Sequence, residues 1–63
     1  MSEQELRDQL DREIRDEEVS VDFWRRQLDL RADSPLVNTV KEVADAHAAQ
    51  LQELYAARRI FEK

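Results

Sequence analysis

Apolar residues recur at helical spacing in the first half of the chain. They stand three, four or seven positions apart, at Leu10, Ile14, Val21, Trp24 and Leu28. This spacing places them on one face of an α-helix, and Glu17 takes a position where an apolar residue is expected. Ser2 followed by Glu5 is typical of a capping box. The pattern predicts one helix over residues 3–30, with a kink near Ser20 as the alternative.

The second half follows the same period more regularly. Alternating steps of three and four give a heptad seam that consists of Val37, Val40, Ala44, His47, Leu51, Leu54, Arg58 and Phe61. Alanines at many of the other positions favour the helical conformation. The pattern predicts a second helix over residues 35–61.

Residues 31–34 separate the two periodic segments and carry turn signals. Asp33 or Ser34 can cap the second helix, and Pro35 suits its first turn, where no backbone N–H is required. Proline also disfavours helical backbone at the residue before it. Two helices of similar length joined by a short turn favour an antiparallel hairpin. The predicted fold class is all-α, with residues 1–63 as a single domain.

Charge is unevenly distributed and agrees with this topology. The net charge is −5, and residues 1–30 carry ten acids against five arginines. Folding back at the turn sets the basic residues Arg58, Arg59 and Lys63 beside the acidic first turns of the first helix. Arg25 similarly comes near Glu42. Each surface pair contributes well under about 1 kcal/mol, so their value lies in their consistency with the hairpin.

A two-helix hairpin cannot enclose all of its own apolar side chains. Phe23, Trp24, Tyr55 and Phe61 cannot all be covered by one partner helix, and the chain has no cysteine for a disulfide. Small scaffolds without disulfides or metals commonly oligomerise. The sequence therefore predicts a homodimer in which two hairpins form a four-helix bundle.

The composition excludes several classes of function. Without glycine or cysteine, the chain has neither a Gly-rich phosphate loop nor a cysteine-based zinc site. The Glu-x-x-His motif of carboxylate metal sites is missing, and the serines stand away from the single histidine. We expect no catalytic residue, no metal and no cofactor, and hence no enzyme. No apolar run approaches the roughly 20 residues of a membrane span, and no signal peptide is recognisable, so we expect a cytoplasmic protein without membrane contact.

His47 has two interpretations. It can be a polar seam residue that fixes the helix register, as buried polar groups do in coiled coils. It can also be a pH switch or a metal ligand. The register role is favoured, because no glutamate stands three or four positions from His47 on its own helix.

Phe23, Trp24, Arg25 and Arg26 form the most informative short motif. Adjacent helical residues point about 100° apart, so Trp24 can enter the core while Phe23 lies at its margin. Aromatic residues and arginines are enriched in protein-binding hot spots, and they also serve as stacking and phosphate contacts. Alternatively, both rings belong to the dimer core and the arginines are merely solvated.

We expect a small interaction or regulatory protein that binds another protein, through this motif or through the acidic first helix. RNA binding through Arg15, Arg25 and Arg26 is the alternative, and a bare assembly element is a third possibility.

The chain resembles the Rop family of small plasmid RNA-binding modulators. The turn Leu-Arg-Ala-Asp at residues 30–33 is similar to theirs, as is Glu-Leu-Tyr at residues 53–55 followed by a basic residue and Phe61. Rop-like hairpins of nitrogen-fixation gene clusters are similar at residues 28–30, 33–35 and 42–44. The resemblance implies a helical hairpin that dimerises into an antiparallel four-helix bundle.

The resemblance supports the fold more than the function. RNA binding in the Rop family uses lysines, polar amides and an exposed aromatic residue on the first helix. Aligned through the turn, the corresponding positions of this chain hold Gln4, Asp11, Arg15, Val19 and Arg26. Only the two arginines could contact phosphate, and Asp11 would oppose it, which weakens the implied RNA function.

Overall fold

Two antiparallel α-helices make up the protein. The computed structural model describes residues 2–62, with α1 at Glu3–Leu30 and α2 at Val37–Arg59. The helices pack along their length into a hairpin of 47 × 17 × 14 Å. The described part of the chain contains no strand. The all-α helical hairpin predicted from the sequence is therefore confirmed.

The start of α1 uses the capping signal seen in the sequence. Ser2 has extended backbone, and its Oγ accepts a hydrogen bond from the backbone N–H of Glu5 at 3.2 Å. This bond satisfies one of the N–H groups that a helix start leaves free. Further along, the Ser20 hydroxyl donates to the carbonyl oxygen of Asp16 at 3.3 Å. The structure shows one continuous helix through Ser20, with no break there.

The turn is longer than the sequence predicts, because α2 begins at Val37, two residues late. The Ser34 Oγ accepts from the N–H of Leu36 at 3.1 Å, and the Ser34 carbonyl accepts from Val37 at 3.1 Å. These bonds close a turn ahead of the helix, so Pro35 precedes the N-cap, Leu36, which makes no side-chain capping bond. At its other end α2 stops at Arg59, and the chain continues in a tighter turn with i→i+3 bonds.

The seam with heptad spacing makes the contact between the helices. Its most buried members are Val21, Val40, Ala44 and Leu51. The half-buried members are Leu10, Ile14, Trp24, Leu28, Val37, His47, Leu54, Arg58 and Phe61. This core is thin, because each helix can cover only one side of the other.

Charge pairs cross the hairpin, although not at the positions expected. The Arg58 Nε lies 2.7 Å from Asp11 Oδ1, about one turn beyond the acids that the sequence assigned to it. The expected pair of Arg25 with Glu42 is absent among the described residues. The longer turn moves the point of fold-back toward the C-terminus and shifts Arg58 along α1 toward Asp11. Glu42 is exposed and lies two positions before the buried Ala44, so it points away from α1. Lys63 lies outside the described residues.

Candidate functional site

A polar pair lies inside the seam between the helices. Glu17 interrupts the apolar stripe of α1, and His47 stands opposite it on α2. The His47 Nδ1 is 2.5 Å from the Glu17 Oε1, and the two side chains are 33% and 14% exposed, respectively. The contact is a hydrogen bond when the imidazole is neutral with its proton on Nδ1, and an ion pair when the ring is protonated. It fits a register role for His47, while the pH-switch interpretation stays a prediction.

Trp24 connects this pair to the surface. Its ring is half-buried and stacks on the His47 imidazole, with centroids 6.3 Å apart and planes 12° from parallel. On its other side the ring meets Phe23 edge to face, at 5.3 Å and 85°. We call Glu17, His47, Trp24 and Phe23 the Trp24 cluster. Through it, the exposed ring of Phe23 is supported by groups fixed between the helices.

Phe23 belongs to an apolar line on the outer side of α1, away from α2. Val19, Phe23 and Leu30 are 67%, 51% and 78% exposed. With Arg26 they follow helical steps of four, three and four, which place all four residues on one face. We call these four residues the outer line. It joins exposed large apolar side chains to one arginine.

The arginines proposed for RNA contact are exposed but not grouped into one basic patch. The Arg26 Nη2 lies 2.9 Å from Asp22 Oδ2, so an acid neutralises it. Arg15 stands eleven positions before Arg26 on the same face, whereas Arg25 points about 100° away from Arg26. This part of α1 offers a mixed charge pattern and no continuous positive strip.

The hairpin side away from the Trp24 cluster is joined by polar contacts. The Tyr55 hydroxyl donates to Glu18 Oε2 at 3.1 Å, and Tyr55 lies one turn of α2 before Arg58, which bonds to Asp11. Loss of hydration raises the pKa of Tyr55, and the hydrogen bond to Glu18 and the charge of that carboxylate raise it further. These contacts tie the two helices together where the seam is open to solvent.

Arg7 closes the open end of the hairpin. Its Nη2 donates to the carbonyl oxygen of Phe61 at 3.4 Å, and its guanidinium carbon lies 5.7 Å from the centroid of the Phe61 ring. A guanidinium over an aromatic face is favourable. Phe61 is thus covered in part by a cation of the first helix.

Sequence reasoning missed the Glu17–His47 contact and the outer line. The signal for the first was present, since each residue is a polar substitution in an otherwise apolar stripe and antiparallel pairing brings them opposite each other. The signal for the second was the repetition of apolar residues at Val19, Phe23 and Leu30. Their spacing matches the seam, but on the opposite face of α1.

Among residues 2–62, no group of three His, Cys, Asp or Glu side chains could hold a metal ion. A shallow, open depression on the outer surface of α1 is lined by Glu5, Asp8, Gln9, Arg12, Glu13 and Asp16. It belongs to a single helix and shows no inward-facing buried group. Within residues 2–62, neither helix has the length and apolar character needed to cross a membrane.

Comparison of the chain with protein-family models, with curated proteins and with solved structures gave no significant match. The resemblance to the Rop family stays a prediction.

Proposed function

We propose that this chain is a non-enzymatic interaction protein that acts as a dimeric helical bundle and binds another protein through the outer line of α1. The observation that carries this proposal is the position of Phe23. Its ring is half exposed to solvent, yet it rests edge-on against Trp24. A held, solvent-facing aromatic ring is suited to binding, because little side-chain freedom is lost when a partner covers it.

The size of the outer line supports a protein partner. Val19 and Leu30 are separated by eleven residues, or roughly 17 Å along a helix, a length that another helix can follow. Covering each of these apolar side chains contributes about 1.5–3 kcal/mol before the costs of association. The partner expected is an amphipathic protein segment whose apolar side chains meet Phe23, with an acidic group near Arg26.

RNA binding through Arg15, Arg25 and Arg26 has weaker support. Asp22 neutralises Arg26, and the net charge of −5 repels phosphate over the whole molecule. The experiment described next therefore also distinguishes two alternatives: RNA binding, and a bare assembly element that contacts only copies of itself.

Photo-cross-linking from the outer line tests the proposal. A benzophenone amino acid replaces Leu30 in the full chain, which is then illuminated in cells that carry its gene naturally. The same amino acid at Lys41, an exposed position on α2, serves as the matched control. We expect a protease-sensitive adduct with another protein from position 30, absent from position 41 and reduced at least about tenfold by Phe23→Ala, as for a hot-spot residue.

The other results each point elsewhere. A ribonuclease-sensitive adduct that weakens steeply with added salt supports the RNA alternative. An adduct only between copies of this chain supports a bare assembly element. Equal adducts from positions 30 and 41 contradict a specific surface on α1.

A further inference from the structure

α2 carries a line of uncharged residues beside the seam. At helical steps of three and four it consists of Thr39, Val43, Ala46, Gln50, Leu54 and Ala57, which we call the α2 stripe. Thr39, Ala46 and Gln50 are exposed, and the other three are half-buried. Charged residues make up 40% of the chain, yet the stripe itself holds none. The exposed acids Glu42 and Glu53 border it on the side away from the seam.

The stripe lies on the same side of the hairpin as the Trp24 cluster. His47 borders it between Val43 and Gln50, and the Trp24 ring stacks on His47. The six stripe residues, with the rings of His47 and Trp24, therefore form one broad face that both helices share.

The opposite side of the hairpin has a different character. On α2, Leu54 belongs to both the seam and the stripe, whereas Tyr55, the next residue, points about 100° away from it, so the contacts of Tyr55 are on the side away from the stripe. There Tyr55 bonds to Glu18, and Arg58 to Asp11. One side of the hairpin is thus joined by polar bonds between the helices, whereas the other presents the uncharged stripe with the exposed acids Glu42 and Glu53 at its edge.

The exposed area of the hairpin is larger than its mass requires. A compact monomer of 7.5 kDa exposes about 4,200 Å² by the usual scaling, whereas this chain exposes 5091 Å². The excess, roughly 900 Å², is close to the ~800 Å² that each partner buries in a standard protein interface. The hairpin therefore has the area that one further protein surface of ordinary size would cover.

We propose that a second copy of this chain packs on the α2 stripe and encloses Trp24 in the interface. The assignment rests on the dimeric form in the proposed function and identifies its contact surface. Each copy carries a net charge of −5, so charged faces repel each other, whereas the stripe itself carries no charge and has Glu42 and Glu53 only along its edge. A two-fold axis then presents the stripe to itself. Val19, Arg26 and Leu30 of the outer line stay free for another protein, and Phe23 lies at the border between the two surfaces, against Trp24.

A charge placed in the stripe tests the assignment. Gln50 is exposed and central in the stripe, whereas Gln52 is exposed on the far side of α2. Gln50→Glu and Gln50→Lys are compared with Gln52→Glu and Gln52→Lys, because each matched pair changes the net charge equally. Sedimentation equilibrium over a wide concentration range gives the dimer dissociation constant, and circular dichroism gives the helix content of the same samples.

We expect Gln50→Glu to weaken the dimer about 100-fold or more, because it places a further carboxylate from each copy beside Glu53 in one interface. Gln50→Lys also weakens the dimer, but less, because Glu53 stands three positions away and can pair with the lysine. The Gln52 variants stay within about threefold of the wild type, as surface substitutions do. The blue-shifted fluorescence of Trp24, the one tryptophan, is lost at the same dilution as the dimer.

A second measurement leaves the dimer intact and tests whether position 50 is covered in it. The chain has no cysteine, so Gln50→Cys and Gln52→Cys each provide a single thiol. We expect the thiol at position 50 to react with a maleimide at least about tenfold more slowly when the protein is concentrated, because a covered thiol is out of reach. The thiol at position 52 reacts equally fast at every concentration.

The failures are distinguishable. Gln50 variants that dimerise like the wild type, or Gln52 variants that weaken the dimer equally, overturn the stripe assignment and leave the dimeric form standing. A wild-type chain that is monomeric at every concentration overturns both. Neither result affects the cross-link expected from position 30, which tests the outer line separately.

Discussion

Glu17 of α1 and His47 of α2 meet across the hairpin, with the His47 Nδ1 2.5 Å from the Glu17 Oε1. Each is a polar residue whose neighbouring seam positions on its own helix are apolar. Each also lies where it can form a hydrogen bond or ion pair with the other. A lone carboxylate or imidazole in this position would lose hydration without a compensating bond. The pairing therefore favours the one alignment of the helices in which the two residues face each other.

This relationship predicts strong coupling between the two positions. We expect Glu17→Leu or His47→Leu alone to destabilise the protein by about 1–3 kcal/mol, because each leaves a partly buried polar group unpaired. The double variant recovers most of this loss, since an apolar pair can replace a polar one without an orphaned group. Urea unfolding of all four proteins at one concentration gives the free energies. Losses that simply add would show that the residues do not interact.

The two serines of α1 predict opposite effects for the same substitution. Ser2→Ala removes the Oγ that caps the Glu5 N–H, and we expect a loss of about 0.5–2 kcal/mol. Ser20→Ala removes a hydroxyl that bonds back to the Asp16 carbonyl inside the helix. Alanine has the higher helix propensity, so that variant is equally or more stable by a few tenths of a kcal/mol. Thermal unfolding of both variants measures the difference, and equal losses would contradict the capping role of Ser2.

Most of the helical framework follows from the sequence alone. Apolar spacing identifies the face that each helix buries, and the Ser2 cap is a local interaction between neighbouring residues. The start of α2 is less predictable, because Pro35 is compatible with both the first helical turn and the preceding loop. The hydrogen bonds of Ser34 decide for the loop. A shift of two residues in the turn is enough to move Arg58 from its expected partners to Asp11.

The contacts of the candidate site are harder to predict from the sequence, again because they depend on the turn. Which residues of α1 meet which residues of α2 depends on the alignment of the helices, and the turn sets that alignment. Glu17 and His47 were each visible as polar exceptions, but their contact requires the register. Which rings lie open to solvent also depends on the second helix, since Phe23 and Trp24 are sequence neighbours with different surroundings.

Tyr55 predicts a loss of stability in alkaline solution. Its pKa is raised in the folded protein, first by loss of hydration and then by Glu18. Above the ordinary tyrosine pKa of about 10, the unfolded chain releases the phenolic proton while the folded chain still holds it. The free energy of unfolding therefore falls as the pH rises from about 10 through the folded pKa.

The single tyrosine of the chain makes this measurable by ultraviolet titration of the phenolate. We expect the native protein to titrate at higher pH than the same chain in urea. Glu18→Gln brings the two titrations closer, because it removes the carboxylate charge. Thermal melts of Tyr55→Phe should lose less stability above about pH 10 than those of the wild type. Coincident titrations in folded and unfolded chain would contradict the contact.

Substitutions in the seam and in the outer line should have different effects: the first should lower stability and the second should weaken binding. Leu51 is buried between the helices, whereas Leu30 is 78% exposed. We expect Leu51→Ala to cost about 2–5 kcal/mol, as other buried leucines do. Leu30→Ala should change the free energy of unfolding by no more than about 0.5 kcal/mol.

The same pair of variants separates the two roles in binding. Leu30→Ala should weaken cross-linking to another protein from a photoreactive residue at Val19, whereas Leu51→Ala should preserve that adduct wherever the hairpin stays folded. Chemical unfolding and adduct yield measured on the same preparations give both quantities. A large loss of stability in Leu30→Ala would mean that the outer line is covered within the folded assembly, and it would then be structural and not a binding surface.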